Sequence, residues 1–263
     1  MLNKIKVAWW GKHFGEEPPL VGGKNQGAGG IFFSGCHLHC VFCQNYQISQ
    51  EKLGKEYSTE ELVEIMLDLQ KQGAINIDLV TPTIWWQQIK KAIILARKKG
   101  LTLPVVWNSN GYEAVEILKE MDGLVDIYLP DFKYSDNELG FKYSGVKNYS
   151  VIAEKAIQEM YRQVGIFREE GGVGKRGLII RHMVLPGAVD NSKRVLEIIA
   201  NIDKKIHIAL MNQYYPLYKA NNFSEINRVV TNDEFNEVCN RLFDLNFLNG
   251  WVQGENSQEV FVP

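Results

Sequence analysis

The feature that most constrains the fold of this chain is a regular alternation of short β-rich runs with longer helical patterns. Six apolar runs have the length and composition of buried strands, and a segment of helical periodicity follows each of them. The strand candidates are residues 31–34, 75–80, 103–107, 125–129, 178–184 and 206–211. Such repetition predicts an α/β fold in which helices lie outside a parallel sheet. Because six units are too few for a closed eight-unit barrel, we expect an open, partial (βα)6 barrel.

A helical segment follows each strand candidate, after an irregular stretch in the case of residues 125–129 and after a loop in the case of residues 206–211. One helix is expected to begin at Ser58, which forms a capping box with Glu61, and to end at Gly73. Further helices are expected at about 85–99, 112–121, 151–162, 192–202 and 233–245. Neither a linker nor an internal repeat divides the sequence. We therefore expect a single domain over residues 1–263, with residues 1–29 as an N-terminal extension packed on the barrel.

Charge and hydrophobicity indicate a protein of the cytoplasm. The net charge of −2 provides no positive excess for binding nucleic acid or an anionic membrane. The first 19 residues contain neither a continuous apolar segment nor a small-residue cleavage site, and no apolar run reaches the length of a bilayer. We therefore expect a cytoplasmic location and neither nucleic acid nor a membrane as a partner.

The cysteines are clustered. Three of the four lie within eight residues, at Cys36, Cys40 and Cys43, directly after the first strand candidate. Disulfide scaffolds are short and rich in cysteine, so this spacing indicates metal or redox chemistry instead. Thiolates spaced in this way can ligate three irons of a cubane and leave its fourth iron without a protein ligand. The remaining cysteine, Cys239, lies far away in a helical segment and is interpreted as a small buried hydrophobe.

A zinc site is the main alternative for these cysteines. Structural zinc normally has four protein ligands, and His37 or His39 could complete a Cys3His set. A two-cluster ferredoxin needs more cysteines than the chain has, and a thioredoxin-like pair of Cys40 and Cys43 leaves Cys36 without a role. The position after a strand of a βα protein, rather than in a small zinc ribbon, favours an iron–sulfur cluster.

The cysteine motif, with the aromatic Phe42 before its last cysteine, resembles the signature of radical S-adenosylmethionine (SAM) enzymes. The wider segment 13–49 resembles PflX-type homologues of the pyruvate formate-lyase activating enzyme. Further similar segments lie at residues 79–83, 108–113, 129–134, 181–187 and 211–216. The resemblance implies a partial (βα)6 barrel of radical SAM type with two cofactors, a [4Fe–4S] cluster and SAM. The residues that it assigns to catalysis and to the metal are Cys36, Cys40 and Cys43.

The same resemblance implies where SAM is bound, at the carboxyl ends of the strands. The second strand of such enzymes usually ends in a Gly-Gly-Glu turn, and this chain has Thr81 and Thr83 around a proline there. Their hydroxyls are expected to supply donors to SAM. After the third strand, Asn108 stands where the activating enzymes have an acidic residue. Its amide is expected to hydrogen-bond the ribose or the methionine part of SAM.

Charged side chains follow the next two strands of the predicted sheet. Asp131 and Lys133 resemble the Asp-x-Lys of the family, with the lysine suited to the carboxylate of SAM and the aspartate to orienting it. Arg181 lies within a predicted buried strand, where a guanidinium is costly unless it faces an anion. The SAM carboxylate matches it in a bidentate geometry.

The resemblance implies a radical SAM oxidoreductase that cleaves SAM reductively and abstracts hydrogen from a substrate. The first hypothesis for that substrate is a protein, as in glycyl-radical activases. A second hypothesis is radical modification of a peptide or a small metabolite, and a third is a non-catalytic metal-binding protein. Because the cluster must be reduced, a flavodoxin or ferredoxin-type electron donor is implied as a partner.

Overall fold

The chain forms one mostly parallel sheet flanked by helices. The structure is a computed structural model that describes residues 4–253 and, for the backbone alone, residues 258–260. The strands are β1 (Lys4–His13), β2 (Ala28–Phe33), β3 (Lys55–Ser58), β4 (Ile77–Val80), β5 (Val105–Ser109), β6 (Ile127–Pro130), β7 (Arg168–Glu170), β8 (Val173–Met183), β9 (His207–Met211), β10 (Gly250–Gln253) and β11 (Gln258–Val260).

The order of the strands makes the sheet open. Its centre runs β2–β4–β5–β6–β8–β9–β10, and each neighbouring pair in this series is parallel. Antiparallel strands flank it, with β1 and then β3 beyond β2, and β11 beyond β10. In the described part of the chain β3 and β11 do not pair with each other, so the expectation of a partial rather than a closed barrel is confirmed.

The helices connect the parallel strands. They are α1 (Pro18–Val21), α2 (Tyr46–Ser49), α3 (Thr59–Lys71), α4 (Trp86–Lys98), α5 (Val115–Glu120), α6 (Asn137–Ser144), α7 (Tyr149–Val164), α8 (Val189–Ile202) and α9 (Asn232–Asp244). The expected capping box is present at α3, where the Ser58 hydroxyl accepts from the Glu61 N–H at 3.1 Å and the Glu61 carboxylate accepts from the Ser58 N–H at 2.7 Å. None of the helices in the described residues is both long and apolar enough to cross a bilayer.

The core lies between the sheet and its helices. Strand β5 is buried along its whole length, and Trp107 in it has no exposed surface. Such burial on both faces is typical of a parallel strand covered by helices. Each fully buried large side chain of this kind contributes about 1.5–3 kcal/mol to stability. The core thus holds the strand ends, and the side chains that follow them, at fixed spacings.

The six strand candidates correspond to β2, β4, β5, β6, β8 and β9. The flanking strands were not anticipated, and β1 is the most consequential of them. It pairs with β2 from His13 opposite Ala28 onwards, so residues 4–13 belong to the sheet itself. Helix α5 begins three residues later than expected, at Val115, because a turn at Gly111 (φ 74°) separates it from β5.

Candidate active site

A cavity of about 270 Å³ opens at the carboxyl ends of the parallel strands, where the sequence places its polar residues. Cys36, Cys40 and Cys43 line it from the loop after β2. All three are free thiols, and so is Cys239 on α9. Further side chains reach the cavity from the ends of β4, β5, β6, β8 and β9. Those predicted from the sequence are Thr81, Asn108, Asp131, Lys133 and Arg181.

Each of the three clustered thiols contacts one polar side chain from outside its own motif. The Asn110 amide donates to Cys36 Sγ at 3.2 Å. The hydroxyl of Ser144, on α6, lies 3.0 Å from Cys40 Sγ, and that of Ser49, on α2, lies 3.2 Å from Cys43 Sγ. A sulfur that ligates iron is a thiolate and accepts, so these groups are placed to donate to it.

Burial sets the acidity of two of these thiols. It raises the pKa of Cys36 and raises that of Cys40 to about 12, because a thiolate without a cation would lose its hydration there. The positive charge of Lys133 opposes this rise in the pKa of both. The loop is therefore suited to bind cationic iron, which would stabilise the thiolate form of each cysteine.

The geometry favours a cluster over a single zinc ion. Within the described residues the three cysteines do not form a group whose ligand atoms all lie within 4.8 Å of one another. Sulfurs on one zinc, each at about 2.3 Å, lie within roughly 4.6 Å of one another. His39 hydrogen-bonds Gln50 through Nδ1 at 2.5 Å, and His37 lines a different cavity. The three thiols and the cavity beside them thus fit a cubane that is held at three corners.

An ion-pair network lies along the same cavity. Asp131 accepts from Arg181 Nε at 2.9 Å through Oδ1 and from Lys133 Nζ at 2.6 Å through Oδ2. Burial acts to raise the pKa of Asp131, but the two cations outweigh it and hold that pKa below its usual value. Asp131 is therefore a carboxylate that fixes the positions of both cations.

Arg181 has two further acceptors in the protein. Its Nη1 donates to Glu16 Oε2 at 2.9 Å, and its Nη2 donates to Asn108 Oδ1 at 2.6 Å. Arg181 was expected to face an anion, and here it already contacts two carboxylates, those of Asp131 and Glu16. The side chain is 16 % exposed, so its guanidinium still borders the cavity. His182, next in the chain, points to the other face and bonds the carbonyl of Phe132 through Nδ1.

The two threonines after β4 have different surroundings. Thr81 lines the cavity with a positive φ of 58°, a strained conformation for a β-branched residue of the kind found at functional sites. Its N–H donates to the Asn108 carbonyl at 2.8 Å. Thr83 does not line the cavity, because its hydroxyl turns to the buried Glu113 and donates to that carboxylate. The expectation that both threonines reach one site thus holds for Thr81 alone.

The loops after β5 and β6 are held against each other by a tyrosine of α7. The hydroxyl of Tyr149 lies 2.8 Å from the Asn110 carbonyl and 3.0 Å from that of Asp131, and it accepts from the Lys133 N–H at 3.0 Å. Gly111 permits this approach, since a Cβ there would lie 2.2 Å from the Asp131 carbonyl oxygen. Tyr149 thus supports both Asn110, which donates to Cys36, and Lys133.

Sequence reasoning missed several polar residues at or beside the cavity. Ser144 contacts Cys40 across 104 positions of chain, and the sequence carries no local signal for such a contact. Asn110 was not assigned to the site, although its side chain reaches Cys36. Asp78 did carry a signal, because a charged residue within the buried strand β4 requires a partner.

Comparisons with known proteins identify the family of this chain. A family model described as "Radical SAM superfamily" matches residues 31–208. An uncharacterised protein of Methanocaldococcus jannaschii is 35 % identical over 237 residues, which cover 86 % of this chain and 63 % of that protein. The chain therefore spans less than two thirds of the length of this relative.

A relative with a named activity and a solved structure give the remaining comparisons. The pyruvate formate-lyase-activating enzyme of Clostridium pasteurianum is 25 % identical over 182 residues, or 67 % of this chain and 69 % of that enzyme. The crystal structure of Streptococcus suis SuiB bound to S-adenosylmethionine has a TM-score of 0.58 at 14 % identity, covering 84 % of this chain and 48 % of that one. At such low identity this likeness concerns the fold.

Proposed function

This chain belongs to the radical SAM superfamily, and on that premise we propose that it is an activating-enzyme-like oxidoreductase that abstracts hydrogen from a protein substrate. Enzymes of this superfamily use a [4Fe–4S] cluster and SAM. The observation that carries the proposal is the convergence of three free thiols on one cavity that two partly buried cations also line. PflX-type homologues of the activating enzyme are the subgroup to which we assign it.

Cys36, Cys40 and Cys43 would hold the cluster. When bound, the cluster and SAM together supply reductive cleavage of SAM to a radical that takes hydrogen from a substrate. The chain itself positions the groups. Asn110 donates to the sulfur of Cys36, and the hydroxyls of Ser144 and Ser49 would donate to the thiolates of Cys40 and Cys43, which would stabilise negative charge there.

The ion-pair network would bind the polar end of SAM. Arg181 and Lys133 offer positive charge to its carboxylate, and Asp131 holds both cations in place. Asn108 lies next to Arg181 and offers an amide to the ribose or the methionine part. Thr81 would contact SAM through its exposed turn after β4. Because each of these groups is tied to a neighbouring strand end, little reorganisation would accompany binding.

A protein substrate is supported by the surface beside the cysteine loop. Residues 213–219 run along this loop, where the Lys219 N–H donates to the Val41 carbonyl at 2.8 Å and Tyr46 stacks on Tyr218 at 4.6 Å between ring centroids. In this segment Tyr215 is 58 % exposed and Leu217 is 40 % exposed. Exposed aromatic and aliphatic side chains next to a cavity suit contacts with a polypeptide. The sequence relationship to an activating enzyme points the same way.

Three further features belong to the proposal. Residues 1–263 would act as one domain, since β1 and the parallel strands share one sheet. Free cysteines fit a reducing compartment, so we place the protein in the cytoplasm. A flavodoxin or ferredoxin-type protein would reduce the cluster.

The test is an anaerobic assay of the reconstituted protein with SAM, a reductant and fractionated protein from the source cells. We expect 5′-deoxyadenosine together with an organic radical, seen by EPR, or a mass change on one protein partner. The Cys36→Ala variant, which lacks a cluster ligand, should give neither. Deoxyadenosine with a modified small product instead would favour the metabolite hypothesis. Protein that holds zinc without a [4Fe–4S] absorption would favour the non-catalytic one.

A further inference from the structure

A second group of metal-ligating side chains lies at the edge of the cavity, apart from the cysteines. It consists of His13, at the end of β1, Glu16, in the following loop, and Asp78, on β4. One potential ligand atom from each lies within 4.8 Å of those of the other two. His13 Nε2 is 3.2 Å from Asp78 Oδ2 and 4.0 Å from Glu16 Oε1.

The sheet is built so that these residues can meet. Strand β2 lies between β1 and β4, with Gly30 in register with Asp78. A Cβ on Gly30 would come within 2.6 Å of the His13 ring, so only a glycine lets the imidazole cross β2 and reach β4. Phe32 packs edge-on against the same ring, at 5.5 Å between centroids. The imidazole is therefore held in position over the strand.

Asp78 is buried with part of its hydrogen-bonding capacity unused. Its side chain is 1 % exposed, and Oδ1 has no hydrogen-bond partner. Its other oxygen, Oδ2, accepts from the Asn108 amide at 3.5 Å and lies 3.2 Å from His13 Nε2. A buried carboxylate oxygen without a partner is costly, and its neighbours do not relieve the cost. The unpartnered Oδ1 thus belongs to the carboxylate whose Oδ2 contacts His13.

The surroundings hold more acidic than basic groups. Besides Asp78, the carboxylates with little exposed surface are Glu16, Glu17 and Asp131, and the cations beside them are Arg181 and Lys133. Glu17 is also buried, and its Oε2 has no hydrogen-bond partner. The region thus has the electrostatic character of a site for a cation.

We propose that His13, Glu16 and Asp78 bind a divalent first-row metal ion through one imidazole nitrogen and two carboxylates. Imidazole together with carboxylate oxygen suits ions such as Mn²⁺ and Zn²⁺. Ligand atoms at about 2.1 Å from one ion lie no more than roughly 4.2 Å apart, and the two separations from His13 Nε2, 3.2 and 4.0 Å, meet this limit. This site is distinct from the cysteine site, which would hold the iron–sulfur cluster.

This ion would act on the cavity through shared side chains. Glu16 would present Oε1 to the metal while Oε2 keeps its contact with Arg181. Asp78 reaches Arg181 as well, through Asn108. The ion would neutralise the acidic excess and hold Arg181 in its present orientation. Its binding needs no SAM cleavage, so this inference and the proposed function fail separately.

The test is titration of Mn²⁺ into the cluster-free full-length chain, with the unbound ion counted from its EPR signal. We expect one Mn²⁺ per chain, since the hard ion prefers these ligands to thiols. Asp78→Asn and His13→Gln should each weaken binding at least about tenfold. Glu113→Gln, which changes a carboxylate that is equally buried but lies elsewhere, should bind as the parent chain does.

Zinc provides the second measurement. In a chain with Cys36, Cys40 and Cys43 all changed to alanine, Zn²⁺ should displace the bound Mn²⁺. His13 lies on a partly exposed strand, so His13→Gln keeps the test sound if Asp78→Asn does not fold. The proposal is overturned if neither ion binds with one site per chain. It is equally overturned if both variants bind as tightly as the parent.

Discussion

Arg181 and Asp131 form an ion pair between β8 and the residue that follows β6, with Nε 2.9 Å from Oδ1 and both side chains less than a fifth exposed. The pair is the centre of the polar network, because Arg181 also holds Glu16 and Asn108. A largely buried pair of this kind costs more to break than it contributes to stability, since Asp131 would keep only Lys133 as a cation and Glu16 would lose its contact with Arg181.

We expect Arg181→Ala to lower the free energy of unfolding by about 3–5 kcal/mol, because it leaves Asp131 and Glu16 buried beside fewer cations. Urea denaturation of the cluster-free chain measures this. Arg162→Ala is the control. Arg162 also pairs with two acids, but its side chain is 55 % exposed, so about 0–1 kcal/mol should be lost. Equal losses in the two variants would contradict the role of burial.

Ser144→Ala should lower the reduction potential of the cluster by tens of millivolts. With Cys40 as a thiolate, the Ser144 hydroxyl donates to Sγ and accepts from Tyr134, whose oxygen is 2.8 Å away. A hydrogen bond to sulfur stabilises the more negative, reduced cluster. Potentiometric EPR titration measures the shift. Ser192→Ala is the control, because Ser192 is equally buried but its hydroxyl donates to the Ala188 carbonyl, and it should leave the potential unchanged. An upward shift of the potential in Ser144→Ala would refute the assignment.

Alanine at Cys36, Cys40 or Cys43 should abolish the cluster, because each of these thiols lines the cavity. We expect the iron content to fall and the rate of SAM cleavage to drop by more than about 100-fold. Loss of a residue that only hydrogen-bonds a metal ligand typically costs about 10–100-fold, and loss of the ligand itself should cost more. Cys239→Ala is the matched control, since that thiol lies on α9. Iron and sulfide analysis, together with an anaerobic SAM-cleavage assay, distinguishes the clustered-cysteine variants from Cys239→Ala. A variant of the clustered cysteines that keeps full activity would be incompatible with the site.

His182 should make stability depend on pH. Burial lowers its pKa to about 4, while an unfolded histidine titrates near 6.5. Between these values the unfolded chain binds more protons, so stability is full above about pH 6.5 and falls as the pH falls towards 4. The whole effect is about 3 kcal/mol.

The matching variant is His182→Asn, whose amide can still donate to the Phe132 carbonyl. We expect it to flatten the pH dependence of the urea midpoint in that interval. Part of the slope should remain, because burial also lowers the pKa of His207 to about 4. An unchanged slope would mean that His182 is protonated in the folded chain.

The sequence predicts the framework of this molecule well because the signals are local. Each parallel strand from β2 to β9 is an apolar run and the longer helices have their own periodicity. The six strands β2, β4, β5, β6, β8 and β9 could therefore be placed, and a helix after each of them. The residues after the strands then meet at one edge by topology alone, which brings Asp131 and Arg181 together.

The remainder depends on contacts that no local pattern encodes. Strand β1 was missed because its pairing with β2 is decided by tertiary contacts rather than by its own composition. Thr83 was expected beside Thr81, but β4 ends at Val80 and Thr83 begins a short 3-10 turn in which its hydroxyl donates to Glu113. Two of the three thiol partners, Asn110 and Ser144, come from distant segments that no local pattern connects to the cysteines. Ser49 lies only six positions after Cys43.

The hydroxyl of Tyr149 ties the loop that carries Asn110 to the loop that carries Lys133. The tyrosine belongs to α7, whose exposed face can vary without touching the cavity. A tilt of that helix would nevertheless move the donor to Cys36 and the ammonium group in the same direction. The positions of Asn110 and Lys133 are therefore coupled through Tyr149. Natural variation on the outer face of α7 can shift both groups together while the distance between them is preserved.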